Sequence, residues 1–496
     1  MSDISLVAEG LRSIERWASA DPALPPPRVT AQEVLSLSSP QCPHISALLC
    51  SQFDLEVPYL DITGSPQCGA ARLLIPHEAA LPLPLVAAMH YELGPEGAVP
   101  YLAQHWAVLT TRQGLVAAGD SVNFNAALVS LARLMPFVER SKIALMGGSA
   151  GGYVSLMVAA DAFPLAGIVP FVPPLNLAYT MAYLHHAAEV SGCPDSFPTD
   201  PEGWREFSRQ LPVPVVCFVQ SIFQDLEALL GPYGPNADNW RRASPIALWR
   251  LVTCPVLLGY STADVLVPMQ QLDARHVRHP DLAQWPPGYS FDFDVVLPQR
   301  AGPDSLAEVL DSDSAATFVV PVPDDLPTVW EDDPGGLPLS IELPFAADRR
   351  VSVVILDEGP PEPRATHTKY RFAPSHLQFL RHCLAKPLNP ASLTRAKLER
   401  LMMRVLGQEP DGLLDCRGPE PKPLRRRSSP QMEKADVLLG LKAYLETSDA
   451  CRETLTALYA QLPPALRALD EPGTPFESDP QANLARMLEN LGLPVA

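Results

Sequence analysis

Residues 142–157, KIALMGGSAGGYVSLM, restrict the fold of this chain more than any other stretch of the sequence. A continuous apolar run stops at two glycines, a serine and an alanine follow, and two more glycines open a helix pattern. A run that is apolar at every position predicts a strand buried on both faces, as in a parallel sheet covered by helices. The chain is therefore expected to turn abruptly from strand to helix at Ser149.

Strand-like and helix-like segments alternate along much of the remaining sequence. The extended apolar runs include LPLVAAMHY, WAVLTT, AGIVPFV, CPVLLGY and RRVSVVIL, and helix patterns lie between several of them. This alternation predicts an α/β fold with a mostly parallel central sheet and helices on both faces. Because chemistry in such sheets sits at the carboxyl ends of the strands, the loops after residues 90, 147 and 260 should meet at one edge.

The length of 496 residues suits one large decorated domain or two to three modules. We predict an N-terminal helix and proline-rich tether over 1–45, a catalytic domain over 46–386 and a helical region over 387–496. The catalytic domain carries two insertions, a helical cap over 173–250 and an acidic segment over 281–348. The C-terminal helices either pack on the core or form a homodimer contact, and the sequence leaves both open.

The charge balance narrows the classes of partner. The formal net charge is -19 and the isoelectric point is about 5.0, which disfavours nucleic acid and anionic membranes. The first residues lack the basic and apolar segments of a signal peptide. No apolar run in the sequence is long enough to span a bilayer, so no membrane partner is expected.

Cysteine usage bears on the compartment and on metal binding. The nine cysteines have no regular spacing and are expected to be reduced, as in a cytoplasmic protein. Cys42, His44 and Cys50 lie near each other in the sequence but lack a fourth ligand at a suitable spacing. We therefore predict a cytoplasmic protein with no metal and no cofactor.

Residues 147–151, GGSAG, match the pattern G-x-S-x-G. A serine on a tight strand-to-helix turn has a strained backbone that lifts its hydroxyl above the sheet, where it can act as a nucleophile. Flanking glycines let the strand and the helix pass without side-chain clashes. The glycines expected in this nucleophile elbow are Gly147, Gly148, Gly151 and Gly152. The first N–H groups of the helix, including that of Ala150, can donate to an oxyanion. The alternative is an ordinary Gly-Ser turn, but the strand before it and the helix pattern after it favour the nucleophile.

A serine nucleophile needs a base, and the base needs an acid that orients it. Asp264 follows the strand CPVLLGY and is the predicted acid, although the position also suits a turn or helix N-cap aspartate. His367, in RATHTKY after the last strand, is the predicted base. His376 is the alternative base, but it starts the next helix and is expected, like His382, to be a surface or packing residue.

A second oxyanion donor is expected in the loop HYELGPEG after the strand LPLVAAM. The backbone N–H of Tyr91 is the predicted donor, and the Tyr91 hydroxyl is an alternative. An ordinary strand-end turn is the competing interpretation of this loop.

These residues resemble the α/β-hydrolase superfamily. The stretches GGSAGGYVSLM and SPIALWRLVTCPVLLGYSTADVLVP look most like its prolyl-oligopeptidase and acyl-peptidase branch, and the resemblance covers roughly 55–275 and 350–386. It implies Ser149 as nucleophile, Asp264 as acid and His367 as base. The N-terminal propeller that gates peptide access in much of that branch cannot fit in the residues before the first strands, which favours esters over peptides.

The sequence thus predicts an α/β-hydrolase fold and a serine hydrolase that cleaves an ester through an acyl-enzyme. The aromatic residues of the cap indicate a small-molecule ester with an apolar or aromatic group. A peptidase or amidase acting on short peptides with the same triad is an alternative. A non-catalytic, hydrolase-like binding or scaffold protein is another.

Overall fold

A computed structural model describes most of the chain. The described residues are 4–20, 24–39, 42, 44–45, 47–112, 119–177, 179–180, 226–232, 237–262, 264, 267, 269–272, 315–322, 343–357, 376–408, 412–425 and 428–493. The strands are β1 Arg28–Leu37, β2 Leu48–Leu60, β3 Pro66–Pro76, β4 Leu83–Ala88, β5 Ala107–Thr111, β6 Val138–Gly148, β7 Gly167–Phe171, β8 Val256–Ser261, β9 Ala315–Pro321, β10 Val351–Asp357, β11 Leu414–Asp415 and β12 Lys422–Pro423. The helices are α1 Ile4–Ala18, α2 Pro95–Leu102, α3 Asp120–Leu134, α4 Ala150–Asp161, α5 Ala237–Arg242, α6 Pro245–Leu248, α7 Leu377–Ala385, α8 Arg395–Leu406, α9 Pro430–Thr447, α10 Asp449–Ala460 and α11 Pro480–Asn490.

The central sheet of the described chain has ten strands in the order β1-β2-β3-β5-β4-β6-β7-β8-β10-β9. The pairs β1–β2, β2–β3 and β3–β5 are antiparallel, and the remaining neighbours are parallel. The predicted α/β fold with a mostly parallel sheet is confirmed, with antiparallel strands at its beginning. The order places β6, β7 and β8 side by side in the middle of the sheet, so the loops that follow them share one edge.

The structure differs from the sequence prediction in the segment taken as a tether. Residues 28–37 form β1, which pairs with β2 and continues the central sheet, so the predicted division at residue 46 cuts through the sheet. Nearly all β1 side chains are exposed, because the strand lies at the sheet edge with both faces largely open. It therefore lacks the apolar pattern that identifies a core strand. The N-terminal helix before it is confirmed as α1.

The two predicted insertions are only partly within the described residues. From the predicted cap, the structure shows α5, α6 and a helical turn over 226–230. From the acidic segment it shows β9, which pairs in parallel with β10 and forms the far edge of the described sheet. One of the strands predicted in the acidic segment is thus an added strand of the core.

The C-terminal helices pack on the core. Helix α9 lies against α3 and is buried on most sides. Arg133 of α3 donates to Asp436 of α9 over 2.5 Å, and both side chains are buried. A Cβ on Gly440 would lie 2.3 Å from the ring of Phe163, so α9 approaches the core as closely as a glycine permits. Of the two roles left open by the sequence, packing on the core is therefore observed, and a homodimer contact stays a prediction.

Candidate active site

The turn at Ser149 joins β6 to α4. β6 ends at Gly148 and α4 begins at Ala150. Ser149 has a φ of 50° and a ψ of -121°, and a non-glycine residue in such a sparsely populated region costs roughly 1–3 kcal/mol. Its N–H donates to the carbonyl of Phe171 over 2.7 Å, and its carbonyl accepts from the N–H of Tyr153 over 3.0 Å. Hydrogen bonds to β7 and to the first turn of α4 thus hold the strained residue in place.

Backbone occupies the space beside three of the four predicted elbow glycines. A Cβ on Gly147 would lie 2.4 Å from the backbone of Gly151, and a Cβ on Gly151 would lie 2.6 Å from the Met89 carbonyl oxygen. A Cβ on Gly152 would lie 3.0 Å from a carbonyl oxygen of β7. Gly148 differs, because a Cβ there would meet no atom of the described residues within 4 Å. Close approach of β4, β6, β7 and α4 therefore requires glycine at three of these positions.

The N-terminus of α4 offers hydrogen-bond donors next to Ser149. The N–H groups of Ala150, Gly151 and Gly152 have no acceptor among the described residues. Free N–H groups at a helix N-terminus, together with the helix dipole, favour negative charge nearby. The predicted donor, the N–H of Ala150, is thus available beside the serine.

The loop after β4 brings Tyr91 to the elbow. His90 has a φ of 69°, and the N–H of Tyr91 donates to the Met89 carbonyl over 2.8 Å, which closes a three-residue turn. The predicted backbone donor of Tyr91 is therefore engaged within its own loop. The Tyr91 side chain is half-exposed, and burial of the phenol raises its pKa. The Tyr91 ring lies beside the elbow, since a Cβ on Gly151 would lie 3.5 Å from it.

Sequence reasoning missed the residues behind this loop, Ser121 and Asn125. Both residues lie in the first turns of α3, which runs from Asp120 to Leu134 and is buried along most of its length. Ser121 and Asn125 are buried and hydrogen-bond to His90. The available signal was the polar run DSVNFN in front of an apolar helix, because buried polar side chains require partners.

A charged cluster holds the far end of the same loop. The carboxylate of Glu92 lies 2.7 Å from Arg72 and 3.6 Å from Arg112. Asp54 lies 2.8 Å from Arg112 and 3.4 Å from Arg72. The N–H of Leu93 donates to the Thr110 hydroxyl over 2.8 Å. These contacts fix the residues after Tyr91 to β2, β3 and β5.

Asp264 lies just beyond the carboxyl end of β8, and it is buried. β8 is the second strand from β6, so two strand spacings, about 10 Å, separate its end from the elbow. The N–H of Val267 donates to Asp264 Oδ1 over 2.9 Å. Only Oδ1 takes part in this contact, which is the turn interaction given above as the alternative to the acid role. The geometry is compatible with both the turn role and the predicted acid role.

The predicted base, His367, lies outside the described residues. Its alternative, His376, precedes α7 and is buried, with Nε2 2.8 Å from the Tyr101 hydroxyl. The two rings stack with centroids 5.8 Å apart. The ring of His382 lies 5.2 Å from that of Phe345. Both of these histidines thus contact neighbouring aromatic rings, and the choice of His367 over His376 as the base stays a prediction.

Two further features of the described residues bear on the kind of site. None of their helices is both long enough and apolar enough to cross a bilayer. They also contain no cluster of three or more His, Cys, Asp or Glu side chains arranged to hold a metal ion.

No protein-family model matches the chain, and no curated protein matches it. Solved structures do match, at low sequence identity. An acetyl xylan esterase from Paenibacillus sp. R4 is 14% identical with a TM-score of 0.32, over 54% of this chain and 83% of the esterase. The acylaminoacyl peptidase of Pyrococcus horikoshii is 11% identical with a TM-score of 0.35, over 68% of this chain and 48% of the peptidase. A puromycin hydrolase is 12% identical with a TM-score of 0.33, over 75% of this chain and 47% of the hydrolase. The solved structures that match the chain thus include an esterase, a peptidase and a puromycin hydrolase.

Proposed function

We propose that this protein is a serine hydrolase that cleaves a carboxylic ester through an acyl-enzyme on Ser149. The observation that carries the proposal is the backbone of Ser149, which has a left-handed φ of 50° between β6 and α4. Strain of this kind persists where surrounding structure imposes it, and it is concentrated at functional sites. An ordinary turn at this position would use glycine, which adopts such a φ without strain.

In the proposed reaction, Ser149 Oγ attacks the carbonyl carbon of the ester while His367 takes the hydroxyl proton. The carbonyl π pair moves to the oxygen and gives a tetrahedral oxyanion. When the oxyanion collapses, the bond to the leaving alcohol breaks and His367 returns the proton to that alcohol. Water, deprotonated by the same imidazole, then attacks the acyl-enzyme and releases the acid and Ser149. Asp264 holds the imidazole and stabilises its protonated form.

The oxyanion is held by two groups in this proposal. The N–H of Ala150 donates from the positive end of α4, where no acceptor among the described residues competes. The second donor is the hydroxyl of Tyr91, because the N–H of Tyr91 is bonded to the Met89 carbonyl. The position of the Tyr91 ring beside the elbow supports this role, since a Cβ on Gly151 would lie 3.5 Å from that ring. Removing one such donor from a hydrolase typically costs about 10²–10³ in kcat.

A fluorophosphonate probe tests the nucleophile directly, because an activated serine attacks its phosphorus, releases fluoride and becomes phosphonylated. We expect labelling of the wild-type protein at Ser149, labelling of the Ser130→Ala variant at the wild-type rate, and no labelling of Ser149→Ala. Ser130 is a matched control, since it is a buried serine in α3, away from the elbow. Failure of the wild-type protein to label would favour a non-catalytic, hydrolase-like protein.

The ester preference is tested separately with matched substrates. We expect turnover of p-nitrophenyl esters and slow turnover of the corresponding aminoacyl p-nitroanilides. Substrates whose acyl groups range from acetyl to aromatic would show which group the cap region accepts. Efficient anilide cleavage that disappears in Ser149→Ala would contradict the esterase proposal and assign a peptidase or amidase.

A further inference from the structure

Three buried polar side chains form a connected cluster behind Tyr91. The Nδ1 of His90 lies 2.8 Å from the hydroxyl oxygen of Ser121, and the N–H of His90 donates to Asn125 Oδ1 over 3.2 Å. The Asn125 amide donates to the carbonyl of Ser121 over 2.8 Å and to its hydroxyl oxygen over 3.2 Å. Ser121 and Asn125 are 1% and 0% exposed. The first turn of α3 is thus bonded to both the backbone and the ring of His90.

The hydrogen bonds of the cluster suit one tautomer of the His90 ring. The Asn125 amide can only donate to the Ser121 hydroxyl oxygen. The Ser121 hydroxyl lies 2.8 Å from Nδ1 of His90, and if it donates to Nδ1 the neutral ring carries its proton on Nε2. Burial lowers the pKa of His90 to about 4, in agreement with a ring that stays neutral.

The cluster also explains how a histidine occupies the turn. A positive φ disfavours a residue with a Cβ, and His90 adopts one at 69°. Its two hydrogen bonds to α3 offset this cost, because both are buried and a buried polar group without a partner costs free energy. The turn also determines where the Tyr91 ring lies, because the His90 and Tyr91 rings meet edge to face with centroids 4.4 Å apart.

The elbow packs directly on this turn. A Cβ on Gly151 would lie 2.6 Å from the Met89 carbonyl oxygen and 3.5 Å from the Tyr91 ring. A small change in the turn would therefore displace the phenol relative to Gly151 and the neighbouring Ser149. A displacement of about 1 Å at a reacting group can cost roughly 10²-fold in rate.

We propose that Ser121 and Asn125 are positioning residues that lock the turn at His90 and thereby hold the Tyr91 hydroxyl against Ser149. The catalytic consequence rests on the function proposed above, whereas the arrangement of the protons does not. In this arrangement His90 is a fixed structural group, and its imidazole does not compete with His367 for the proton of Ser149.

The proton arrangement is tested by NMR of the wild-type protein with ¹⁵N-labelled histidine. The His90 signals are assigned by their loss in His90→Asn, a replacement that tolerates the positive φ. We expect the neutral tautomer protonated on Nε2 at pH 6. A ring protonated on Nδ1, or a positively charged ring, would overturn the inference, and this measurement requires neither activity nor a folded Ser121 variant.

The positioning role is tested with Ser121→Ala, with Ser130→Ala on the same helix as the control. On a p-nitrophenyl ester we expect Ser121→Ala to lower kcat about 10- to 100-fold, with KM within about twofold of wild type. Ser130→Ala should stay within about twofold in both constants. Because Ser121 acts through Tyr91, the same substitution in a Tyr91→Phe background should cost less than about threefold.

The outcomes separate this inference from the proposed function. An equal loss from Ser121→Ala in the wild-type and Tyr91→Phe backgrounds would show a general structural effect and overturn the positioning role. No loss at all in the wild-type background would overturn it too. If the wild-type protein hydrolyses no ester and labels with no probe, the proposed function fails. The Nε2-protonated tautomer, and its loss as a single fixed form in Ser121→Ala, would still support the locked turn.

Discussion

The strain at Ser149 predicts an inversion in the stability of two inactive variants. Ser149→Ala and Ser149→Gly both remove the hydroxyl, so both lose the contacts of that hydroxyl equally. They differ in how they tolerate a φ of 50° with a ψ of -121°. Alanine keeps the Cβ and the strain, whereas glycine adopts this backbone freely. We therefore expect the glycine variant to be the more stable of the two.

The size of the difference follows from two opposing terms. Relief of the strain contributes roughly 1–3 kcal/mol in favour of glycine. Glycine has more freedom in the unfolded chain, which opposes this gain by about 0.5–1 kcal/mol. The net expectation is that Ser149→Gly exceeds Ser149→Ala in free energy of unfolding by about 0–2.5 kcal/mol, with a central value of about 1 kcal/mol. Sterics do not alter the estimate, because the serine already fills the space of an alanine.

Urea unfolding followed by tryptophan fluorescence measures this difference as a shift in midpoint at constant slope. The matched control is Ala457→Gly, at an exposed position within α10. There the exchange of alanine for glycine should destabilise by about 1 kcal/mol, the reverse of the effect at Ser149. If glycine is no more stable than alanine at Ser149, the elbow is not strained in solution and the reasoning from its backbone to a nucleophile is refuted.

Three further variants test the structure around the site. Asp436→Asn should lower the free energy of unfolding by about 3–5 kcal/mol, because it leaves the buried guanidinium of Arg133 without its carboxylate; a loss below about 1 kcal/mol in urea titrations would contradict the buried pair. Gly151→Ala should reduce ester turnover about 10²-fold, since its Cβ would meet the Met89 carbonyl at 2.6 Å; wild-type kcat would show that the elbow does not contact the loop. Burial lowers the pKa of Lys397 from 10.5 to about 7. Between these two pH values Lys397 is protonated in the unfolded chain and neutral in the folded protein. The free energy of unfolding of the wild type should therefore rise with pH over this interval. Lys397→Met should flatten this rise, which is at most about 1.4 kcal/mol per pH unit, in unfolding measurements from pH 7 to 9; an unchanged pH dependence would show that Lys397 ionises normally.

Local patterns determine the parts of the site that the sequence could predict. The elbow at Ser149 is encoded within a few residues, since an apolar strand, glycines and a helix pattern follow one another directly. Asp264 could be placed because it follows a strand that is apolar at every position. Both predictions needed only the rule that chemistry gathers at the carboxyl edge of a parallel sheet.

Contacts between distant segments determine what the sequence could not predict. The N–H of Tyr91 is bonded to the Met89 carbonyl in a turn at His90, whose positive φ is accompanied by hydrogen bonds to α3. Ser121 and Asn125 carry no motif of their own, and only the fold shows what they touch. β1 was missed for a related reason, because an edge strand exposes both faces and loses the apolar pattern.

The C-terminal region contacts the helix that follows Ser149, although the two lie far apart in the sequence. Lys397 Nζ of α8 donates to the carbonyls of Ala159 and Ala160, and Arg400 and Arg404 bind the carboxylate and the carbonyl of Asp161. These basic side chains therefore bind the C-terminus of α4, the helix whose N-terminus lies beside Ser149.

The distance along α4 determines how these basic side chains can act on Ser149. α4 has twelve residues, so its two ends are about 18 Å apart. A unit charge at that distance contributes only about 1 kcal/mol at an effective dielectric constant of 20. The carboxylate of Asp161 cancels part of even this amount. The hydrogen bonds and ion pairs act at 2.5–2.8 Å instead. These basic side chains therefore act by fixing the position of α4, and with it the N–H of Ala150. Their electrostatic potential at Ser149 is a minor effect.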